Sequence, residues 1–327
     1  MTGAHRAVLP AGADGVPARR PAPGPIAVLP EGEPRFSAAV EQGGGTVGPL
    51  GSDTRGVVWL ANDRPHDLDA VLAARPGVGW VQLPWAGVDA FSNLIGRHRG
   101  VLWTSAKGAF AQPVAEHALG LALALLRYLP QRARAREWDD RPLGVSLYGR
   151  RVLIVGAGGI CLELIRLLAP FGVHVDVVRQ RPDPVPGAER TLSPERLGEV
   201  LAEADLVILA AALTPETTSL FGAAEFERMR ASAYLVNVGR GRLVDTDALV
   251  LALSSGAIAG AALDVTDPEP LPAGHPLWSV PTALITPHMA DTPAMTAPLL
   301  EERIRVNVAG FVGDGRFLGI VDPDLGY

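Results

Sequence analysis

A chain of 327 residues, 48% hydrophobic and 20% charged, has room for two domains and a sizeable buried core, which excludes global disorder. A formal net charge of −6 argues against a general nucleic-acid binder, which normally presents a basic surface. The single cysteine, Cys161, rules out an intrachain disulfide and a cysteine-based zinc site, and no metal site of any kind is expected.

Residues up to about Gly24 are rich in Pro, Ala and Gly and are expected to lack order. They contain no apolar core of the secretory-leader type. No apolar run approaches the roughly 20 residues of a membrane helix; the richest stretch, Ala118 to Leu126, reads as a buried helix. A soluble, cytoplasmic protein without membrane or nucleic-acid partners is expected.

Strand-like runs at 26–30, 56–62, 78–84 and 101–105 alternate with helix-compatible segments such as HDLDAVLAA, which predicts a small parallel α/β unit. A long apolar helix follows at 111–129. The alternation restarts with strands at 151–155, 173–178, 205–211, 233–238, 258–263 and 283–286, and a last helix is expected at about 296–311. The fold class is α/β: two Rossmann-like or flavodoxin-like domains with doubly wound parallel sheets. A cofactor domain, 113–292, is inserted into a substrate domain formed by 25–112 and 293–327, with 1–24 as an N-terminal extension.

The run VLIVGAGGICLELIRLL carries a G-x-G-x-x-G-like turn between a strand and a helix, the context that gives this motif meaning. Gly156 permits the tight turn and Gly158 lets a pyrophosphate approach the backbone. The helix start at Gly159 and Ile160 offers amide N–H groups to the anion. Cys161 stands in the third glycine position, where close helix–strand packing is usual. About 23 residues after Gly156 the second strand ends in Arg179-Gln180-Arg181. An acidic residue there would hold the ribose hydroxyls of NAD; cations accommodate the 2′-phosphate of NADP. Arg179 and Arg181 therefore favour NADP over NAD, and Val238, ending the strand predicted at 233–238, is a further cofactor-binding candidate.

Three polar residues lie just beyond later strands: Arg240, Glu269 and His288. In open parallel sheets ligands bind outside the carboxyl ends of the strands. Reduction of a 2-oxo acid needs a hydride and a proton for the developing alkoxide. Imidazole is the side chain most readily both protonated and deprotonated near neutral pH, a chemistry that suits His288 to general acid/base work. Glu269 would orient the ring and favour the imidazolium. Arg240 offers a forked permanent cation for a carboxylate.

The segments AEHALGLALALLR, GAGGI, AALTPETT, VNVGRGRLVDTDAL, GAALDVTDPEPLPAGHPLW and LITPHMADT resemble, in order and spacing, the D-isomer-specific 2-hydroxyacid dehydrogenases. The resemblance spans about 250 residues, from WVQLPWAGVDAF to VDPDLGY. It implies the same roles for Arg240, Glu269 and His288. It further implies substrate-carboxylate binding by the backbone at Ala86 and Gly87, a place for Asp264 beside the nicotinamide carboxamide, and a homodimer built through the cofactor domain. Trp85 and Ser105 are candidates for shaping the substrate pocket. Cys161, Ala212, Asp291 and Thr292 depart from the family pattern.

The resulting expectation is an NAD(P)-dependent 2-oxo-acid reductase acting on glyoxylate, hydroxypyruvate or a near relative. A phosphoglycerate dehydrogenase-like enzyme and a non-catalytic NAD(P)H-sensing scaffold of the corepressor type stand as alternatives. A formate dehydrogenase fits less well, because that branch carries glutamine at the place of Glu269.

Overall fold

The computed structural model describes residues 5–9, 14–181 and 183–324. The chain divides into two compact units, Met1–Phe110 with Pro293–Tyr327, and Ala111–Thr292. No helix among the described residues is long and apolar enough to cross a membrane.

In the first unit the strands Ile26–Leu29, Gly56–Trp59, Trp80–Gln82 and Leu102–Thr104 lie side by side and parallel. Val47 adds a parallel bridge to Ile26, which reverses the strand order at the first strand in the flavodoxin manner. The C-terminal helix Pro293–Val312 packs on this unit, where Phe311 stacks on Trp80 with ring centroids 5.0 Å apart. Its buried Asn307 donates to Gln82 Oε1 (2.7 Å) and to the Leu318 carbonyl, so the helix is held by hydrogen bonds as well as by apolar burial.

The N-terminal extension, expected to lack order, has described residues that pair with this unit. Asp14–Gly15 forms an antiparallel bridge to Phe317–Leu318, and Val8 N–H donates to the Gly108 carbonyl. The physical reason is that a Pro- and Gly-rich segment still carries main-chain groups able to complete a neighbouring edge. Residues 1–4 and 10–13 lie outside the described residues.

The second unit is a seven-stranded parallel sheet: β1 (Arg151–Val155), β2 (His174–Val178), β3 (Arg190–Leu192), β4 (Leu206–Leu209), β5 (Tyr234–Asn237), β6 (Gly260–Leu263) and β7 (Ala283–Ile285). Their order is β7-β6-β5-β4-β1-β2-β3, the doubly wound arrangement that reverses beside β1. Apolar clusters cover both faces, which is why β1, β4, β5 and β6 read as continuous apolar runs. One strand, β3, was not expected. Its three residues, Arg-Thr-Leu, are too short and too polar for a periodicity signal.

Two helices matter for the site. α1 (Ala111–Leu126) buries Ala115, Ala118, Leu121, Ala122 and Leu125, and packs on α2 (Gly159–Leu168). A second short helix, Leu129–Arg134, follows α1, so the predicted helix over 111–129 ends three residues early.

Candidate active site

The glycine turn leaves β1 at Gly156, whose φ of +103° lies in the region open to glycine. A Cβ there would stand 2.6 Å from the Ala210 carbonyl oxygen, so the turn tolerates no side chain. At Gly158 a Cβ would meet nothing within 4 Å: here the missing side chain leaves open space in front of the helix. Gly158 caps α2 and Gly159 and Ile160 begin it, so the first-turn N–H groups point toward that space. These features fit a dinucleotide pyrophosphate. Val238, just past β5, is buried and hydrogen-bonded to the Leu209 carbonyl at 3.1 Å.

Cys161 is buried in the core between α1, α2 and the sheet, and burial pushes its thiol up to about 12, with the Arg179 charge opposing. Arg179, just past the end of β2, is half-buried, while Arg181 is exposed. The one acidic residue of β2, Asp176, faces elsewhere. It is buried, with Arg151 Nη1 at 3.1 Å and Arg190 Nη2 at 2.7 Å. Burial raises its pKa, but the hydrogen bonds of Arg190 and Arg151 outweigh this and hold it below the usual carboxylate value.

Arg240 leaves the end of β5 in a turn built by Asn237. That buried amide donates to the Arg240 carbonyl at 2.9 Å and accepts from Gly239 N–H at 3.0 Å. A Cβ at Gly241 would stand 1.9 Å from the Thr266 carbonyl oxygen, so the loops after β5 and β6 touch main chain to main chain. This close approach explains Gly241; at Gly239 a Cβ would instead meet Leu243 Cδ1 at 2.8 Å and the Ala211 carbonyl oxygen at 3.1 Å. The guanidinium is half-buried and donates to the Gly239 carbonyl at 2.8 Å.

Glu269 sits in the loop after β6. Its Oε2 accepts from Thr266 N–H at 3.4 Å, and its Oε1 lies 2.6 Å from His288 Nδ1. His288 itself has φ of +53°, unusual outside glycine and characteristic of strained functional positions. The second unit therefore brings the sequence-predicted pair into direct contact, 19 residues apart in the chain.

The turn that carries His288 is held by Asp264. His288 N–H donates to the Asp264 carbonyl at 2.7 Å. The Asp264 carboxylate accepts from Thr286 Oγ1 (2.6 Å), Met289 N–H (3.0 Å) and Ala290 N–H (3.1 Å). His117 Nε2 lies 3.3 Å from the same carboxylate. Burial raises the Asp264 pKa, but the hydrogen bonds from His117, Thr286 and Met289 outweigh it and hold the group below its ordinary value. The buried carboxylate of Asp264, a cofactor-site residue by the resemblance, is engaged here by the turn under His288. Asp291 lies nearby with its pKa raised by burial and by the Asp264 charge, His288 opposing.

In the first unit Ala86 and Gly87 lie in a bend after the strand Trp80–Gln82, exposed and half-buried respectively. Trp85 packs edge-on against Phe110, centroids 5.9 Å apart. Ser105, a pocket candidate by sequence, is buried and its hydroxyl accepts from Lys107 N–H at 3.2 Å, so it supports its own loop.

Residues 119–290 match the family described as D-isomer specific 2-hydroxyacid dehydrogenase, NAD binding domain. The chain belongs to the D-isomer-specific 2-hydroxyacid dehydrogenase family. A protein of Corynebacterium melassecola without assigned function is 40% identical to the dehydrogenase over 260 residues, 76% of this chain and 84% of the relative. Glyoxylate/hydroxypyruvate reductase B of Citrobacter koseri is 34% identical over 231 residues, 68% of this chain and 71% of the relative. The crystal structure of a D-isomer specific 2-hydroxyacid dehydrogenase from Xanthobacter autotrophicus Py2, in complex with NADPH and MES, is 28% identical. It superposes with a TM-score of 0.79, covering 94% of this chain and all of that one. The dehydrogenase is thus an NAD(P)-dependent oxidoreductase with the two-domain α/β architecture expected from its sequence.

Proposed function

We propose that the dehydrogenase reduces a small 2-oxo acid of the glyoxylate or hydroxypyruvate type, using NADPH in preference to NADH. The single observation that supports this reading best is the 2.6 Å contact between His288 Nδ1 and Glu269 Oε1 at adjacent strand ends. Gly156, Gly158, Gly159 and Ile160 would hold the cofactor's pyrophosphate, Val238 would line the cofactor site, and Arg179 and Arg181 would meet the 2′-phosphate. When bound, the cofactor supplies the hydride that reduces the carbonyl carbon.

His288 Nδ1 is spent on Glu269, which leaves Nε2 to give a proton to the alkoxide oxygen as it forms. Glu269 fixes the ring and stabilises the imidazolium from which that proton leaves. Arg240 grips the substrate carboxylate through its fork and polarises the neighbouring carbonyl. Backbone N–H groups at Ala86 and Gly87 are assigned as further carboxylate donors. The active species is taken to be a homodimer joined through the cofactor domain, acting in the cytoplasm.

Support for the substrate class comes from the Citrobacter koseri reductase, a relative named for both substrates. Support for the cofactor comes from two arginines where an acidic ribose ligand would otherwise stand, since Asp176 is neutralised within the sheet. The test follows the absorbance of NADPH and NADH with glyoxylate, hydroxypyruvate, pyruvate and 3-phosphohydroxypyruvate. Turnover of the two smallest hydroxyl- or aldehyde-bearing acids with an NADPH preference is expected. A preference for the phosphorylated acid would favour a phosphoglycerate dehydrogenase-like role, and tight cofactor binding without any turnover would favour a sensing scaffold.

A further inference from the structure

A second histidine reaches the site from a helix with an extensive apolar stripe. In α1 the apolar stripe is buried against α2 and the sheet, while His117, about one-quarter exposed, turns toward the ends of β6 and β7. Its Nε2 lies 3.1 Å from Thr286 Oγ1 and 3.3 Å from Asp264 Oδ1.

The hydrogen count decides which atom donates. Thr286 has one hydroxyl hydrogen and gives it to Asp264 Oδ1 at 2.6 Å, so toward His117 this hydroxyl only accepts. The Asp264 carboxyl is held ionised and accepts as well. His117 Nε2 must therefore carry a hydrogen, shared between Thr286 Oγ1 and Asp264 Oδ1. The same carboxylate takes the N–H groups of Met289 and Ala290, and the Asp264 carbonyl takes that of His288. One continuous chain of donors and acceptors thus runs from α1 to the residue whose backbone sits at φ +53°.

We propose that His117 is a positioning residue: its Nε2–H fixes the Asp264 carboxylate and Thr286 hydroxyl, and through them the strained turn that presents His288 to Glu269. This inference rests on the assignment of His288 as the proton donor. Without the Nε2–H, two acceptors at the end of β7 lose a shared donor, and the left-handed conformation of His288 loses part of what over-determines it. The groups that face this cluster are Asp264, Asp291, His288 and Glu269. Of these only Asp264 shares a hydrogen bond with His117.

Two variants separate positioning from packing. His117→Leu keeps the bulk and removes the hydrogen; His117→Gln returns an N–H at the same reach. With glyoxylate and NADPH, H117L is expected to lose roughly ten- to hundredfold in kcat, the scale of a misplaced reacting group. Its cofactor Kd should stay within about twofold, and H117Q should recover most of the rate. A second readout needs no turnover: in the resting full-length protein, the side-chain nitrogen signals of His288, assigned with His288→Ala, should show a hydrogen-bonded Nδ1–H in wild type and H117Q but an averaged ring in H117L. Equal behaviour of H117L and H117Q in both measurements, whether wild-type or impaired, overturns the proposal. If the wild-type enzyme reduces no 2-oxo acid, the functional reading fails, and the nitrogen spectra still judge whether His117 positions His288.

Discussion

His288 Nδ1 stands 2.6 Å from Glu269 Oε1, and both side chains are nearly half exposed, 48% and 42%. An ion pair this open contributes little to stability on its own. Its short, directed geometry, on a residue held at φ +53°, is better explained by chemistry than by folding. Glu269→Gln keeps the shape and one acceptor oxygen but removes the charge that favours the imidazolium. We expect kcat for 2-oxo-acid reduction to fall roughly tenfold or more, with melting temperature unchanged within about a degree. A steady-state assay beside a thermal melt checks both; a loss of stability without a loss of kcat would contradict the assignment.

Arg240 is presented by a turn that Asn237 and two close-packed glycines define. If its fork grips the substrate carboxylate, a lysine is no substitute, because a point charge cannot form the paired bonds. Arg240→Lys should lower kcat/KM by about tenfold to a hundredfold, at roughly 1.5–3 kcal/mol for a hydrogen bond to a charged group. Arg240→Ala should lower it further. Wild-type kcat/KM in the lysine variant would refute the bidentate clamp.

The cofactor preference rests on Arg179 and Arg181. Replacing both by Ala should raise the KM for NADPH about tenfold or more, at roughly 1.5–3 kcal/mol per charge-assisted bond lost. The KM for NADH should stay nearly constant. Equal changes for the two cofactors would mean that the arginines do not read the 2′-phosphate.

Asp176 is a stability residue. It is buried between Arg151 and Arg190, and breaking such a pair costs about 3–5 kcal/mol. Asp176→Asn should lower thermal stability by an amount near the low end of that range at pH 7. The folded pKa lies below the ordinary carboxylate value, so this stabilisation is present above about pH 4 and lost as pH falls through the folded pKa. The gap between wild type and variant should therefore close in acid. A gap that widens below pH 4 would show that the sign is wrong.

Legibility in the sequence followed local signals. Buried parallel strands such as Leu206–Leu209 and Tyr234–Asn237 are apolar throughout, and the glycine turn sits between a strand and a helix, so both could be read directly. β3 could not, because Arg190 and Thr191 carry no apolar pattern and the strand exists through its pairing with β2. The contact of His288 with Glu269 was suggested by residue type and strand-end position. The contact of His117 with Asp264 was not, since 147 residues separate them and a histidine in an apolar helix gives no sign of what it faces. The burial of Ser105 and the bond it accepts from Lys107 N–H depend on tertiary packing and carry no signal in the sequence.

The central claim, that His288 gives up the proton during hydride reduction of a 2-oxo acid, is tested most directly by single-turnover oxidation of enzyme-bound NADPH with glyoxylate. The account predicts that His288→Ala slows this step by about 10²–10⁴ while NADPH still binds with near wild-type Kd. An unchanged single-turnover rate in His288→Ala would contradict it.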